Sequence, residues 1–211
     1  MGLTALTVVA LESQIAAESA EIPFRDVTSE SGIDFEHDNG ARGKKLLPEA
    51  YGSGVLVFDF DRDGAVDLLF VNGAAWNDDD EERSVSPALE LYVNDGSGRF
   101  TETEAFEDLP MRLHGMGAST ADFDQDGWTD LYVTCVGPNL LFRNHEGLHF
   151  EDWTERAGVS GGTDEWSTSS CWFDLENDGD ADLFVANYVD WSPETDGRLD
   201  CLVPSWRPDV D

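Results

Sequence analysis

Residues 59–67 read Asp-Phe-Asp-Arg-Asp-Gly-Ala-Val-Asp, and two further stretches, 122–130 and 174–182, follow the same acidic pattern. In each stretch carboxylates stand at positions 1, 3, 5 and 9, and a glycine stands at position 6. At an effective dielectric constant of ~20, two unit charges ~4 Å apart repel by roughly 4 kcal/mol. Carboxylates at this density therefore need a compensating cation. We name the three stretches loop 1, loop 2 and loop 3 in chain order.

Each loop lies between two segments of β character. Apolar and small residues precede the loops at 54–58, 117–121 and 169–173. Runs of β-forming residues follow them at 68–71, 131–134 and 183–186. The leading runs carry paired small residues, at Gly52/Gly54, Gly115/Gly117 and Ser167/Ser169. Each loop is thus predicted to join two strands, with small residues at the crowded inner edge of a radial array.

A second unit follows the loops and predicts a hairpin. Residues 91–100 align with residues 141–150, and both read as a strand, an Asn/Gly turn and another strand. Together with the strand pair across the loop, this makes four short strands, the content of one propeller blade. The predicted fold is all-β: a partial β-propeller of about two and a half to three four-stranded blades.

The chemistry of the loops favours calcium. Ca²⁺ takes six to eight oxygen ligands in flexible geometry, and glycine at position 6 permits a sharp turn. Side chains at positions 1, 3, 5 and 9 and the backbone carbonyl at position 7 are the predicted ligands at three structural sites. They are Asp59, Asp61, Asp63, Ala65, Asp67, Asp122, Asp124, Asp126, Trp128, Asp130, Asp174, Glu176, Asp178, Asp180 and Asp182. An EF-hand is excluded because position 12 is Phe70, Val133 or Val185 instead of glutamate.

The repeats resemble the FG-GAP/VCBS repeats of integrin-α-type β-propellers, over roughly residues 24–190. The stretches Gly32-Ile-Asp-Phe-Glu-His37, Leu47-Pro-Glu49 and Gly52-Ser-Gly54 resemble the cartilage acidic protein family and its bacterial relatives, which often end in an ASPIC/UnbV domain. This resemblance implies a secreted, calcium-binding seven-bladed propeller used in adhesion or protein interaction. It also implies that the aspartate loops supply the calcium ligands.

The organisation of the chain follows from these repeats. Residues 24–33 align with 150–159, which predicts an orphan outer strand at Phe24 of the kind that closes a propeller ring. With fewer repeats than the usual four to eight blades, the chain is expected to be the N-terminal part of a larger protein. The predicted segments are a degenerate or truncated signal at 1–20, a leading segment with the closing strand at 21–45, blades at 46–110 and 111–160, and an incomplete blade with a tail at 161–211. The acidic stretch 77–82 is predicted to be a surface loop.

The net charge limits the classes of partner that the protein can bind. The 211 residues carry 45 acidic and 12 basic side chains, for a formal charge of -33. A surface this acidic repels nucleic acid and anionic membranes. No apolar run approaches the ~20 residues that span a bilayer. Export to the cell surface, the periplasm or the extracellular medium is the predicted location, through a weak signal in residues 1–20.

Several other motifs are interpreted as structural. Cys135 and Cys171 are expected to be buried thiols or a single bridge, and Cys201 to lack a partner. His145 and His149 flank a turn and are not expected to converge on zinc. The Gly-Val-Ser-Gly-Gly run around Ser160 matches a nucleophile-elbow pattern but lacks the strand–turn–helix context.

Two functions remain open from the sequence. The first is a non-enzymatic, calcium-stabilised propeller for extracellular protein–protein interaction or adhesion. The second is a carbohydrate-binding or carbohydrate-active propeller module. Exposed aromatic side chains would support the second, and Trp76 and Trp191 are its candidates because they lie nearer loops.

Overall fold

The computed structural model describes residues 24–41, 43–51, 54–73, 87–107, 109 and 113–196. Several features named above lie outside these residues: the segment 1–20, Gly52, Trp76, the acidic stretch 77–82 and Cys201.

Blade 1 is a four-stranded antiparallel sheet in the order β1-β2-β3-β4. Its strands are β1 (Val55–Phe58), β2 (Asp67–Val71), β3 (Leu89–Asn94) and β4 (Phe100–Glu102). Phe58 pairs with Asp67, so the two ends of loop 1 are held side by side. The predicted four-strand blade is confirmed, with the loop between its first two strands.

Blade 2 repeats this arrangement, and the first two strands of blade 3 follow it. The strands are β5 (His114–Ala121), β6 (Asp130–Val136), β7 (Leu140–His145), β8 (His149–Asp152), β9 (Glu165–Phe173) and β10 (Asp182–Asp190). Loop 2 joins β5 to β6, and loop 3 joins β9 to β10. One backbone pair, Val136 with Trp166, connects blade 2 to blade 3. The fold is all-β and forms part of a β-propeller, as predicted.

In the described part of the chain, helical structure is limited to single turns. They are α1 (Thr28–Ser31), α2 (Thr154–Ala157), α3 (Pro193–Asp196) and a 3₁₀ turn at Leu47–Ala50. None of these described helices has the length and apolar character that crossing a membrane requires.

The main apolar core lies between blades 1 and 2. Phe60, at position 2 of loop 1, is 2% exposed and packs on Phe150 of β8 with ring centroids 5.2 Å apart. Phe106 stacks on the same ring at 4.9 Å. The apolar residue inside the acidic loop is therefore the anchor that fixes loop 1 against the next blade.

Small residues bring the first strands of the blades together, as predicted. Gly54 directly precedes β1. A Cβ atom added to it would lie 3.0 Å from the Cα of Gly117 in β5. A Cβ on Gly117 would lie 3.2 Å from the carbonyl oxygen of Thr168 in β9. Larger side chains would separate the blades at this inner edge.

The closing strand predicted at Phe24 stays a prediction, because the described residues contain no strand that pairs with this segment. Residues 24–27 form no strand, and the side chain of Phe24 is 94% exposed. Its counterpart in blade 2 is a strand because β7 pairs with it, whereas no described strand pairs with residues 24–27. The alignment is right for the turn that follows, since α1 and α2 both end at a left-handed glycine, Gly32 or Gly158.

Two cysteine expectations are corrected. Cys135 is buried and Cys171 is exposed, and both are free thiols, so the alternative of a single bridge is wrong. Burial alternates along the second half of β9, which places Cys171 on the exposed face of that strand, while Cys135 packs in the main core.

One aromatic expectation is corrected, and a contact between two histidine rings is found. Trp191 is 4% exposed and packs edge-on against Trp166, so it is part of a second small core and not an open stacking surface. The rings of His145 and His149 do converge, with centroids 4.9 Å apart. The hairpin register places these two histidines directly opposite each other at the ends of β7 and β8. They form no group of three metal-binding side chains with other described residues.

Candidate metal-binding loops

The three loops share one backbone conformation. The glycine at position 6 has a φ of 91° in loop 1, 93° in loop 2 and 94° in loop 3. The residue at position 4, which is Arg62, Gln125 or Asn177, is also left-handed, with φ between 57° and 60°. The left-handed glycine can be predicted from the sequence. The left-handed residue at position 4 cannot, because arginine and glutamine rarely adopt a positive φ.

The position-1 aspartate closes each loop. One carboxylate oxygen, Oδ2, accepts the position-6 amide at 3.1 Å in loop 1 and at 2.9 Å in loops 2 and 3. This bond brings the two ends of a six-residue turn together. The bond fixes the orientation of the carboxylate, and its other oxygen, Oδ1, does not take part in it.

The carboxylates at positions 3 and 5 are oriented by short local turns. Asp61 accepts the amide of Asp63 at 3.1 Å, and Asp63 accepts the amide of Ala65 at 2.7 Å. Loop 2 has the equivalent bonds, from Asp126 to Asp124 and from Trp128 to Asp126. Each bond ties one oxygen through an Asx turn and leaves the other for a further partner.

The position-9 aspartate is a buried acceptor of hydrogen bonds as well as a predicted metal ligand. Asp130 is 1% exposed and accepts the amides of Phe123 at 3.0 Å and Asn144 at 2.8 Å. Asp67 is fully buried and accepts the amides of Phe60 and Asn94 in the same way. This side chain therefore ties the loop to the third strand of its own blade, a role that the sequence pattern does not indicate.

In loops 1 and 2 the structure brings together three of the four predicted carboxylates, at positions 1, 3 and 9, and does not include Asp63 or Asp126 in either group. Oxygen atoms of Asp59, Asp61 and Asp67 lie within 4.8 Å of one another, as do those of Asp122, Asp124 and Asp130, and either group could hold a metal ion. In both loops the Oδ1 atom of the first aspartate is buried and has no hydrogen-bond partner among the described residues. A buried carboxylate oxygen without a donor is costly unless a cation is close to it. The residues present in loops 1 and 2 therefore fit an oxygen-liganded metal.

Loop 3 differs from the other two. Both oxygens of Asp174 accept backbone amides, from Asp178 and Gly179. Its apolar position-2 residue, Leu175, is 68% exposed, whereas Phe60 in loop 1 is buried by the next blade. Glu176, Asp178, Asp180 and Asp182 form no comparable group in the described structure. The ligand set of loop 3 stays a prediction from the sequence.

Neighbouring loops and blades contact one another. The Arg62 guanidinium lies over the Trp128 ring at 5.3 Å, and the Gln125 side chain donates to Gly179 and Asp180 of loop 3. Asn144 donates to the carbonyls of Phe60 at 2.9 Å and of Thr129 at 3.1 Å. The sequence signal for this last contact is the asparagine at or next to the end of the third strand of each blade, Asn94 or Asn144.

A basic side chain contacts loop 2. Arg143 of β7 donates from Nε to Asp124 and from Nη2 to Asp126, each at 2.5 Å. Its guanidinium also lies 5.3 Å from the centre of the Trp153 ring. Sequence reasoning did not identify Arg143, since it is separated from these aspartates by 19 and 17 residues.

Burial and mutual repulsion perturb the position-9 carboxyls. Burial, and then the charges of Asp124 and Asp126, raise the pKa of Asp130 from 3.8 to about 7, although two backbone amides oppose the shift. Burial raises the pKa of Asp67 in the same direction. A bound cation would favour the ionised form of both groups.

We expect the metal-free protein to lose stability as the pH rises from about 5 to about 7. Between the unfolded pKa of 3.8 and the folded pKa of about 7, folded Asp130 holds a proton that the unfolded chain releases, so the free energy of unfolding falls with rising pH. Urea unfolding in EDTA at both pH values measures this loss. Asp130→Asn cannot ionise, and its loss should be smaller. Equal losses in the two proteins would contradict the assignment to Asp130.

Comparison with known protein families agrees with this geometry. The model of a family described as FG-GAP-like repeat matches residues 59–133 and 122–185, and the two matches begin at the first aspartates of loops 1 and 2. Together they span more than half of the 211 residues. No curated protein matches the chain. From these matches, together with the strand–loop–strand geometry they cover, we conclude that the chain belongs to the FG-GAP-like repeat family.

Proposed function

We propose that this protein is a calcium-stabilised β-propeller module that binds protein partners outside the cell or at its surface. FG-GAP-like repeats are typical of propeller-type extracellular interaction modules, and the family is generally non-enzymatic. The observation that carries the calcium part is the buried, unpartnered Oδ1 atom of Asp59 and of Asp122, each within a group of three converging carboxylates.

Loops 1 and 2 carry the best-formed sites. Asp59, Asp61, Asp63 and Asp67 would hold the first ion together with the carbonyl of Ala65. Asp122, Asp124, Asp126 and Asp130 would hold the second together with the carbonyl of Trp128. Carboxylate and carbonyl oxygens are the ligands that Ca²⁺ prefers. The role of the ion is structural, since each loop joins two strands of one blade and position 9 also contacts the third.

Removal of calcium is expected to lower the melting temperature. Affinities of extracellular calcium modules are ~10⁻⁴ to 10⁻³ M, so about 10 mM Ca²⁺ nearly saturates them. This concentration is about 10 to 100 times Kd and stabilises by about 1.4 to 2.7 kcal/mol per site. For a chain of this size that corresponds to roughly 3–10 °C per site. Differential scanning calorimetry in EDTA and in Ca²⁺ measures the shift.

Matched variants make this test specific. Asp59→Asn and Asp122→Asn each remove one of the two unpartnered oxygens and should each lose part of the calcium-dependent shift. Asp95→Asn is the control, because Asp95 belongs to the β3–β4 turn, where it accepts the amide and hydroxyl of Ser97 outside the loops. A melting curve that is the same in EDTA and Ca²⁺ would refute the calcium proposal.

The partner is proposed to be a protein with a basic surface. Even with three Ca²⁺ ions the formal charge of -33 would stay strongly negative, which favours basic partners and disfavours nucleic acid. Trp191 does not support the carbohydrate alternative, because its side chain is buried and cannot stack on a sugar. We also propose the kinship with the cartilage acidic protein family, which rests on the leading segment of residues 32–54.

A further inference from the structure

One basic side chain distinguishes the two well-formed loops. Arg143 bonds through Nε and Nη2 to the second and third carboxylates of loop 2, Asp124 and Asp126. These three side chains are between 19% and 25% exposed, so the contact is partly shielded from solvent. Charge-assisted bonds of a guanidinium to two carboxylates are stronger than ordinary hydrogen bonds.

Loop 1 has the same four carboxylates without such a partner. The residue of blade 1 that aligns with Arg143 is Val93, which packs against the main core. Among the described residues, no side chain donates a hydrogen bond to Asp61 or Asp63. The Arg62 guanidinium of loop 1 is directed instead over the Trp128 ring.

The contact occupies oxygens that a metal ion would need. Asp124 accepts the amide of Asp126 on Oδ1 and the guanidinium of Arg143 on Oδ2, so both of its oxygens are engaged. In loop 1 the corresponding Asp61 has only Oδ1 engaged by a described donor. A dication entering loop 2 would have to displace the guanidinium or share carboxylates with it, at the cost of repulsion between like charges.

Trp153 offers the guanidinium a second favourable contact. The Arg143 Cζ atom lies 5.3 Å from the Trp153 ring centre, and Arg156 lies over the same ring at 4.0 Å. Such a cation–π contact does not depend on the loop carboxylates. Arg143 therefore has a partner outside the loop when it releases Asp124 and Asp126.

We propose that Arg143 is an internal counter-cation of loop 2, which lowers the affinity of this loop for a divalent cation below that of loop 1. The inference rests on the proposed calcium binding and assigns different affinities to its two best-formed sites. Loop 1 fills first, and loop 2 fills at higher calcium concentration as Arg143 leaves its carboxylates.

The two position-6 glycines allow each site to be followed separately. The amides of Gly64 and Gly127 donate to the first aspartate of loop 1 and loop 2, respectively. In the full chain labelled with ¹⁵N-glycine, a calcium titration followed by NMR gives a midpoint for each amide. In the wild type, the Gly127 signal should shift at a calcium concentration roughly tenfold higher than the Gly64 signal, as expected for loss of a charge-assisted contact.

Two substitutions test the cause. Arg143→Met should lower the Gly127 midpoint by roughly tenfold and leave the Gly64 midpoint unchanged. Arg156→Met is the matched control: it removes a guanidinium from the same Trp153 ring but from no loop carboxylate, and it should move neither midpoint. The Gly64 signal in each spectrum reports that the variant is folded.

The outcomes separate this inference from the calcium proposal. If Gly64 shifts but the Gly127 midpoint is the same in wild type and Arg143→Met, the counter-cation role is wrong while calcium binding stands. An equal change in Arg156→Met would also overturn it. If neither glycine shifts in the wild type, both proposals fail. As a test without substitution, in a wild-type sample labelled with ¹⁵N-arginine the Nε–H signal of Arg143 should move at the same calcium concentration as Gly127, and a signal that calcium does not move would refute the displacement.

Discussion

Replacing Asp130 with alanine is expected to lower the free energy of unfolding by about 3 kcal/mol in EDTA. The two carboxylate oxygens of Asp130 accept the amides of Phe123 and Asn144, and the side chain is 1% exposed. Its removal leaves both amides without an acceptor in a place that water does not reach. Burial and the nearby charges of Asp124 and Asp126 disfavour this carboxylate, so its removal offsets part of the cost. Urea unfolding followed by circular dichroism measures the difference.

Asp182→Ala is the matched control for this prediction. Asp182 stands at the same position of loop 3 and accepts the amide of Leu175 at 2.8 Å. Here the neighbourhood is open, since Leu175 is 68% exposed, and water can replace the lost acceptor. We expect a loss of about 1 kcal/mol or less. Similar losses for the two variants would show that the buried bonds of Asp130 are not the source of its effect.

Trp166→Ala is expected to destabilise the protein by about 4 kcal/mol, as large-to-small changes of buried aromatic residues do. Trp166 is 1% exposed and packs edge-on against Tyr51, Tyr188 and Trp191. It also forms the backbone pair that connects blade 3 to blade 2. The cavity left by the indole would therefore open at the joint between two blades.

Two further variants test whether burial of Trp166 causes this effect. Trp172 lies on the same strand but is half-buried and has one edge-on contact, with Tyr132, so Trp172→Ala should cost much less. The Nε1 atom of Trp166 is buried without a hydrogen-bond partner among the described residues, so Trp166→Phe should retain most of the stability. Equal losses for Trp166→Ala and Trp172→Ala in urea unfolding would contradict the assigned burial.

The fold was predictable because its determinants are local. Positions 1, 3, 5, 6 and 9 of each loop lie within nine residues, and the β-forming runs stand directly beside them. The turn at Thr28–Ser31 is equally local, since it depends on a few residues that end at Gly32, although it was not predicted from the sequence. The closing strand predicted at Phe24 stays a prediction, because a strand requires a partner that the local sequence does not contain.

The site was predictable only in part, because several of its determinants depend on register and on neighbouring blades. Arg143 meets Asp124 only once β7 is paired with β6 in a particular register. His145 and His149 meet for the same reason, as opposite residues of a hairpin. Loops 1 and 3 have similar sequences but different surroundings, since Phe60 is covered by blade 2 and Leu175 is open. Composition and spacing carry no signal for such differences.

The bond from Asn144 to the carbonyl of Phe60 bears on how such a chain can grow in evolution. A gene segment that runs from one loop to the end of the following hairpin encodes both halves of this joint, the accepting carbonyl and the donating asparagine. Blade 1 already contains both, as Phe60 and Asn94. Tandem duplication of the segment therefore supplies a matching contact at each new junction. The row of blades can lengthen without a new interface having to arise by mutation.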